Sequence, residues 1–89
     1  LSNHHTQHNY YQAIVDNKEA IATNEFGVKP KLLTINIDIG NLEKNLTINN
    51  SIVKSSIEKK SKDTLFIKTY IIIDGEIIIS SSSIWTNNY

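Results

Sequence analysis

The chain has 89 residues, no net charge at pH 7, nine lysines without one arginine, and neither cysteine nor methionine. Such a length holds one small core, and without cysteine no disulfide scaffold or Cys-based metal framework can brace it. Zero net charge gives no long-range steering to nucleic acid or an anionic membrane, and the missing guanidinium removes the preferred reader of phosphates and base edges.

Residues 1–8 are polar, carry all three histidines (His4, His5 and His8) and show no period, so they read as a disordered tail. His4 and His8 stand at i,i+4, a spacing able to grip a metal, but no carboxylate precedes Asp16, and no metal site or cofactor is expected. Leu1 is not an initiator residue. The expectation is a processed chain or a piece of a longer one, with an N-terminal anchor removed ahead of it. No run approaches the roughly 20 apolar residues of a membrane span.

From Asn9 to Asn24 the pattern turns helical. Tyr10, Ile14 and Ile21 form a stripe flanked by Tyr11, Val15 and Ala22, while Gln12, Asp16, Asn17, Glu19 and Asn24 fall largely opposite. Asn9 is the expected N-cap, and Gly27 and Pro30 end the element. Leu32–Ile39 alternates strictly: Leu33, Ile35, Ile37 and Ile39 point one way, Thr34, Asn36 and Asp38 the other. This predicts a strand with one buried and one wet face.

Asn45–Lys60 reads two ways. Leu46 and Ile48 alternate as in a strand up to about Val53, with a slip at Ile52-Val53; Val53 and Ile57 stand at a helical i,i+4. The strand reading is the one carried forward, followed by a solvated turn at Glu58–Asp63. Asn45-Leu46-Thr47 and Asn49-Asn50-Ser51 are N-glycosylation sequons, a match that chance supplies in so Asn-rich a chain.

The last element is the most telling. Thr64–Ile73 and Glu76–Trp85 are β-branched runs joined by Asp74-Gly75, a strong signal for a type I′ hairpin. A regular register places Ile71 opposite Ile78 on one face, with Tyr70, Ile72, Ile77 and Ile79 on the other. Both faces of the tip are then apolar, and one helix covers only one of them. Tyr70, Ile71, Ile72, Ile77, Ile78 and Ile79 are therefore the expected interface, for a protein partner or for self-association. Phe66 is expected diagonally across from Trp85 on one face.

The layout predicted is α+β: one N-terminal amphipathic helix packed on a three- to four-stranded antiparallel β-meander ending in a long hairpin. Residues 9–86 form a single domain between the tail at 1–8 and a short C-terminal tail at 87–89. This layout resembles the soluble domains of minor pilins and pseudopilins, and also cystatin-like folds. The resemblance implies a structural or interaction role and, for the pilins, a hydrophobic helix ahead of Asn9.

No nucleophile and base come together in the sequence, because every histidine sits in the tail, and no carboxylate pair stands out among Asp38, Glu43, Asp63, Asp74 and Glu76. The expectation is therefore not an enzyme but a protein-interaction module, extracytoplasmic because Ser, Thr and Asn abound. A small inhibitor or immunity-type protein acting by β-edge addition is the alternative. A basic run, Lys54, Lys59, Lys60 and Lys62 with Lys68 beside Phe66 and Tyr70, raises single-stranded nucleic acid as a third reading. Glu58 and Asp63 bracket that run, so nucleic acid is not the expected partner.

Overall fold

In the computed structural model, residues 2–40 and 51–88 are described, with side chains from Tyr10 onward among them. The sequons and the first half of the Asn45–Lys60 stretch lie outside the described residues, as do the histidine side chains.

Helix α1 spans Ser2–Phe26. Nothing between those residues stops a helix, since the first glycine is Gly27 and the proline is Pro30. Asn9 consequently lies within the helix rather than capping it, and the polar stretch ahead of it is helical from Ser2. Gly27 ends the element at φ 77°, its N–H donating to Thr23 O at 2.8 Å, the left-handed cap that glycine adopts without a Cβ penalty.

Four strands follow: β1 Lys31–Ile39, β2 Ser51–Lys60, β3 Thr64–Ile73 and β4 Glu76–Thr86. They form one antiparallel sheet in the order β1-β4-β3-β2. The α+β layout read from the sequence is the one observed. Strands β2, β3 and β4 run as a meander, whereas β1 crosses to the far side of β4, so that β1 and β2 are the two edges.

The hairpin has the expected turn, with Asp74 at φ 52° and Gly75 at φ 77°. Its register is regular for two pairs only, Ile73 with Glu76 and Ile72 with Ile77. Ile78 is then an extra residue, and Ile71 pairs with Ile79 and Tyr70 with Ser80. This bulge corrects the regular register: it turns Ile79 to the same face as Ile71 and moves every later residue of β4 by one. Trp85 thus pairs with Leu65 and is buried, while Phe66 pairs with Ile84 on the opposite face, so the expected aromatic pair does not form.

Two further bulges reset the edges. In β1 the shift between Leu32 and Thr34 puts Leu32, not Leu33, in line with Ile35 and Ile37, and leaves Leu33 53% exposed. In β2 the slip falls between Ile57 and Lys59, not at Ile52-Val53.

Helix α1 lies on the face formed by Leu65, Ile67, Thr69, Ile71 and Ile73 of β3 and Ile79, Ser81, Ser83 and Trp85 of β4. Two apolar clusters fill the interface. Tyr10 and Ile14 pack with Ile71, Ile73, Ile78 and Ile79 near the hairpin tip; Ala22 packs with Leu65, Ile67 and Trp85 at the other end.

Candidate functional site

Between those clusters the core turns polar. Tyr10, Ile14, Lys18 and Ala22 repeat every four residues along α1, and all four are buried. Lys18 occupies the middle of the apolar stripe and is 0% exposed. Its Nζ donates to Ile67 O at 3.0 Å and to Ser81 O at 3.4 Å, so the ammonium is held by carbonyls of the two central strands. No carboxylate compensates it among the described residues. Burial alone pulls its pKa from 10.5 down to about 8, because an ammonium loses hydration that two carbonyl dipoles only partly replace.

Around Lys18 lies a band of hydroxyls. Ser55 Oγ donates to Asn17 Oδ1 at 2.5 Å and shares a hydrogen bond with Thr69 Oγ1 at 2.6 Å. Ser83 Oγ donates to Ile67 O at 3.2 Å and accepts from Trp85 Nε1 at 2.8 Å. Ser81 Oγ donates to Asn36 O at 2.8 Å. Asn17 and Ser55 are half-buried, and they bring the band to the rim between α1 and β2. Small serines make this possible, since bulkier side chains on β4 would lift the helix and take the Lys18 ammonium out of reach of the strand carbonyls.

A second polar feature lies in the tip cluster. Tyr10 is 3% exposed, and its hydroxyl is the one buried side-chain polar atom among the described residues without a hydrogen-bond partner. An unmatched buried hydroxyl costs on the order of 1–3 kcal/mol, which a ligand acceptor would recover.

The six residues expected to form one interface divide between the two faces of the sheet. Ile71, Ile78 and Ile79 are buried beneath α1 and serve the chain's own core. Tyr70 and Ile72 are half-buried on the face away from α1, which no other described element covers, and Ile77 is 56% exposed. Lys68 Nζ lies 5.8 Å from the Tyr70 ring centroid on that face, a cation–π contact. Of the basic run, Lys60 pairs with Glu25 of α1, turning one cation to the helix side.

Of the carboxylates named above, Glu43 lies outside the described residues. Asp74 sits in the turn, and Asp38 is exposed on β1. Asp16 accepts from Gln12 Nε2 at 2.8 Å on the wet side of α1. Among the described residues no three His, Cys, Asp or Glu gather as metal ligands. Asn17, Lys18, Ser55 and Thr69 were not singled out by the sequence reading. The four-residue spacing from Ile14 through Lys18 to Ala22 was a usable signal for the second of them.

No family model matches the chain, and no curated protein does. Solved structures do. A hypothetical protein of Aquifex aeolicus aligns over 93% of this chain and 80% of its own, at 12% identity and a TM-score of 0.69. A gentisyl-coenzyme A thioesterase aligns over 88% of this chain and 69% of its own, at 13% identity and a TM-score of 0.68. At such identities the likeness is one of fold. It corrects the expectation that the chain is not an enzyme, because the same architecture is that of a thioesterase.

Proposed function

We propose that this chain binds acyl thioesters and hydrolyses them. The observation that carries the reading is the fold likeness to a gentisyl-coenzyme A thioesterase across most of the chain. Within the chain, the unpartnered Tyr10 hydroxyl supports it. In this reading the thioester docks at the tip end of α1, and Tyr10 Oη donates to its carbonyl oxygen. A preorganised donor in so apolar a setting stabilises the charge that develops there when water adds and the C–S bond breaks.

The test is release of free thiol from a panel of aromatic and aliphatic acyl-coenzyme A esters. We expect turnover above the uncatalysed rate for one class. Tyr10→Phe should lower kcat/KM by about 10–100-fold. The same change should leave thermal stability equal or higher, since it deletes a buried hydroxyl with no partner. Absence of thiol release together with absence of any thermal shift from every ester would sink the reading.

A second reading rests on a different observation, the sheet face that no described element covers. Ile72 and Ile77 stand there with Tyr70, and Ile52 on β2 is also exposed. We propose this face as a protein-binding surface. Its test is whether Ile72→Lys with Ile77→Lys removes assembly or partner binding.

A further inference from the structure

The pleat of the sheet sorts the lysines of the basic run, and we infer that the face away from α1 binds an acidic amphipathic helix of a partner protein, laid along β2 and β3. The inference rests on the reading of that face as a protein-binding surface and adds the chemistry of what binds there.

The strand registers set the face out in rows. Ile52, Ile72 and Ile77 form the row beside the hairpin turn. Next come Lys54, Tyr70, Ser80 and Asp38, then Ser56, Lys68, Ser82 and Asn36, then Lys59, Phe66, Ile84 and Thr34. An apolar row therefore leads into three rows that each carry a lysine on β2 or β3. Along the chain these lysines are mixed with Lys60 and Glu58, but Lys60 turns to Glu25 on the helix side. Lys54 and Lys59 are exposed, and no described carboxylate pairs with Lys54, Lys59 or Lys68. The one carboxylate in these rows is Asp38, on edge strand β1, two strand spacings or about 10 Å from β3. A negatively charged partner is thus drawn over β2 and β3 and kept from β1.

A helix fits the rows. Same-face residues along a strand are about 6.6 Å apart, and every fourth residue of a helix about 6 Å. On the other face α1 uses this match, with Tyr10, Ile14, Lys18 and Ala22 buried against the two central strands. A partner helix in the mirrored place sets an apolar side chain on Ile52 and Ile72. Successive four-residue steps then bring carboxylates beside Lys54 and Lys68 and a second apolar side chain onto Phe66. Single-stranded nucleic acid fits less well. Lys68 Nζ stands 5.8 Å from the Tyr70 ring centroid, where a base would stack, and the isoleucine row offers a phosphate backbone no contact.

The experiment titrates the full 89-residue chain, observed by amide NMR, with a designed helical peptide carrying Leu and Glu at those steps. Its counterparts with Gln or Lys in place of Glu, and a thymidine oligonucleotide, are titrated alongside. The Glu peptide should shift amides of β2 and β3 and bind about tenfold or more tighter than the Gln peptide, a margin that high salt removes. Lys54→Glu with Lys59→Glu, both at exposed positions, should reverse the preference to the Lys peptide. Equal binding of the Glu and Gln peptides, or a preference that survives the charge reversal, would overturn the inference and leave the protein-binding reading standing. No amide shift from any peptide up to about 1 mM, where even weak binding shows, would overturn both. Shifts on this face from the oligonucleotide alone would assign it to single-stranded nucleic acid instead.

Discussion

Lys18 sets the chemistry of the core because it is a cation where the helix period calls for an apolar side chain. Its pKa near 8 in the folded chain lies below the 10.5 of an unfolded one. Between those values the unfolded chain binds more protons, so its contribution to stability rises as pH climbs from about 8 to 10.5 and is lost as pH falls back through 8. Lys18→Met keeps most of the volume and removes the charge. At pH 7 the variant should be more stable than the parent by about 1 kcal/mol or more, and the difference should shrink as pH rises through that window. Urea unfolding of both proteins at a series of pH values checks this. A less stable variant at every pH would mean that the bonds to Ile67 O and Ser81 O outweigh the desolvation, and a constant difference would mean that burial leaves the Lys18 pKa unshifted.

At the scale of the elements, the bulge at Ile78 decides which residues of β4 meet the helix. With it, Ser81, Ser83 and Trp85 lie beneath α1; in a regular register their neighbours would. Removing one isoleucine from Ile77–Ile79 therefore makes a test. The shortened strand can pair without a bulge and still set Ser80 against Tyr70, with Ser81 and Trp85 where they were. It should fold with Trp85 buried, at a cost of about 2–5 kcal/mol for the lost isoleucine. Fluorescence emission from Trp85, the only tryptophan, reads the outcome. A red-shifted, solvent-exposed signal in a folded chain would show that the strand had turned over instead.

For the molecule as a whole, one helix on a four-stranded sheet makes two faces of different meaning among the described residues, the one beneath α1 and the bare one. Ile72 and Ile77 belong to the bare face, Ile71 and Ile79 to the core. Ile72→Lys with Ile77→Lys should therefore change unfolding stability by no more than about 1 kcal/mol in the monomer, whereas Ile71→Lys alone should cost about 4 kcal/mol or more through an unpaired buried charge. Thermal unfolding at a concentration low enough to exclude assembly separates them. Equal losses from both changes would place the two faces under the same cover.

The amino-acid pattern by itself determined the α+β class, the Asp74-Gly75 turn, a strand at Leu32–Ile39 and the helix stop at Gly27. Each of these rests on local physics: a period of two or 3.6, a backbone that needs positive φ, a proline that blocks the helix. The shared face of Phe66, Lys68 and Tyr70 was legible for the same reason, because all three precede any bulge on one strand. What only the tertiary structure decided is non-local. A bulge adds one residue on one side of a pair, and three adjacent isoleucines give no sign of which is extra. The placing of β1 beside β4 is a choice among strand partners far along the chain, and alternation along β1 says nothing of its neighbour. Lys18 entered the core, and Ser81 and Ser83 with it, because the carbonyls and hydroxyls that satisfy them come from strands far along the chain.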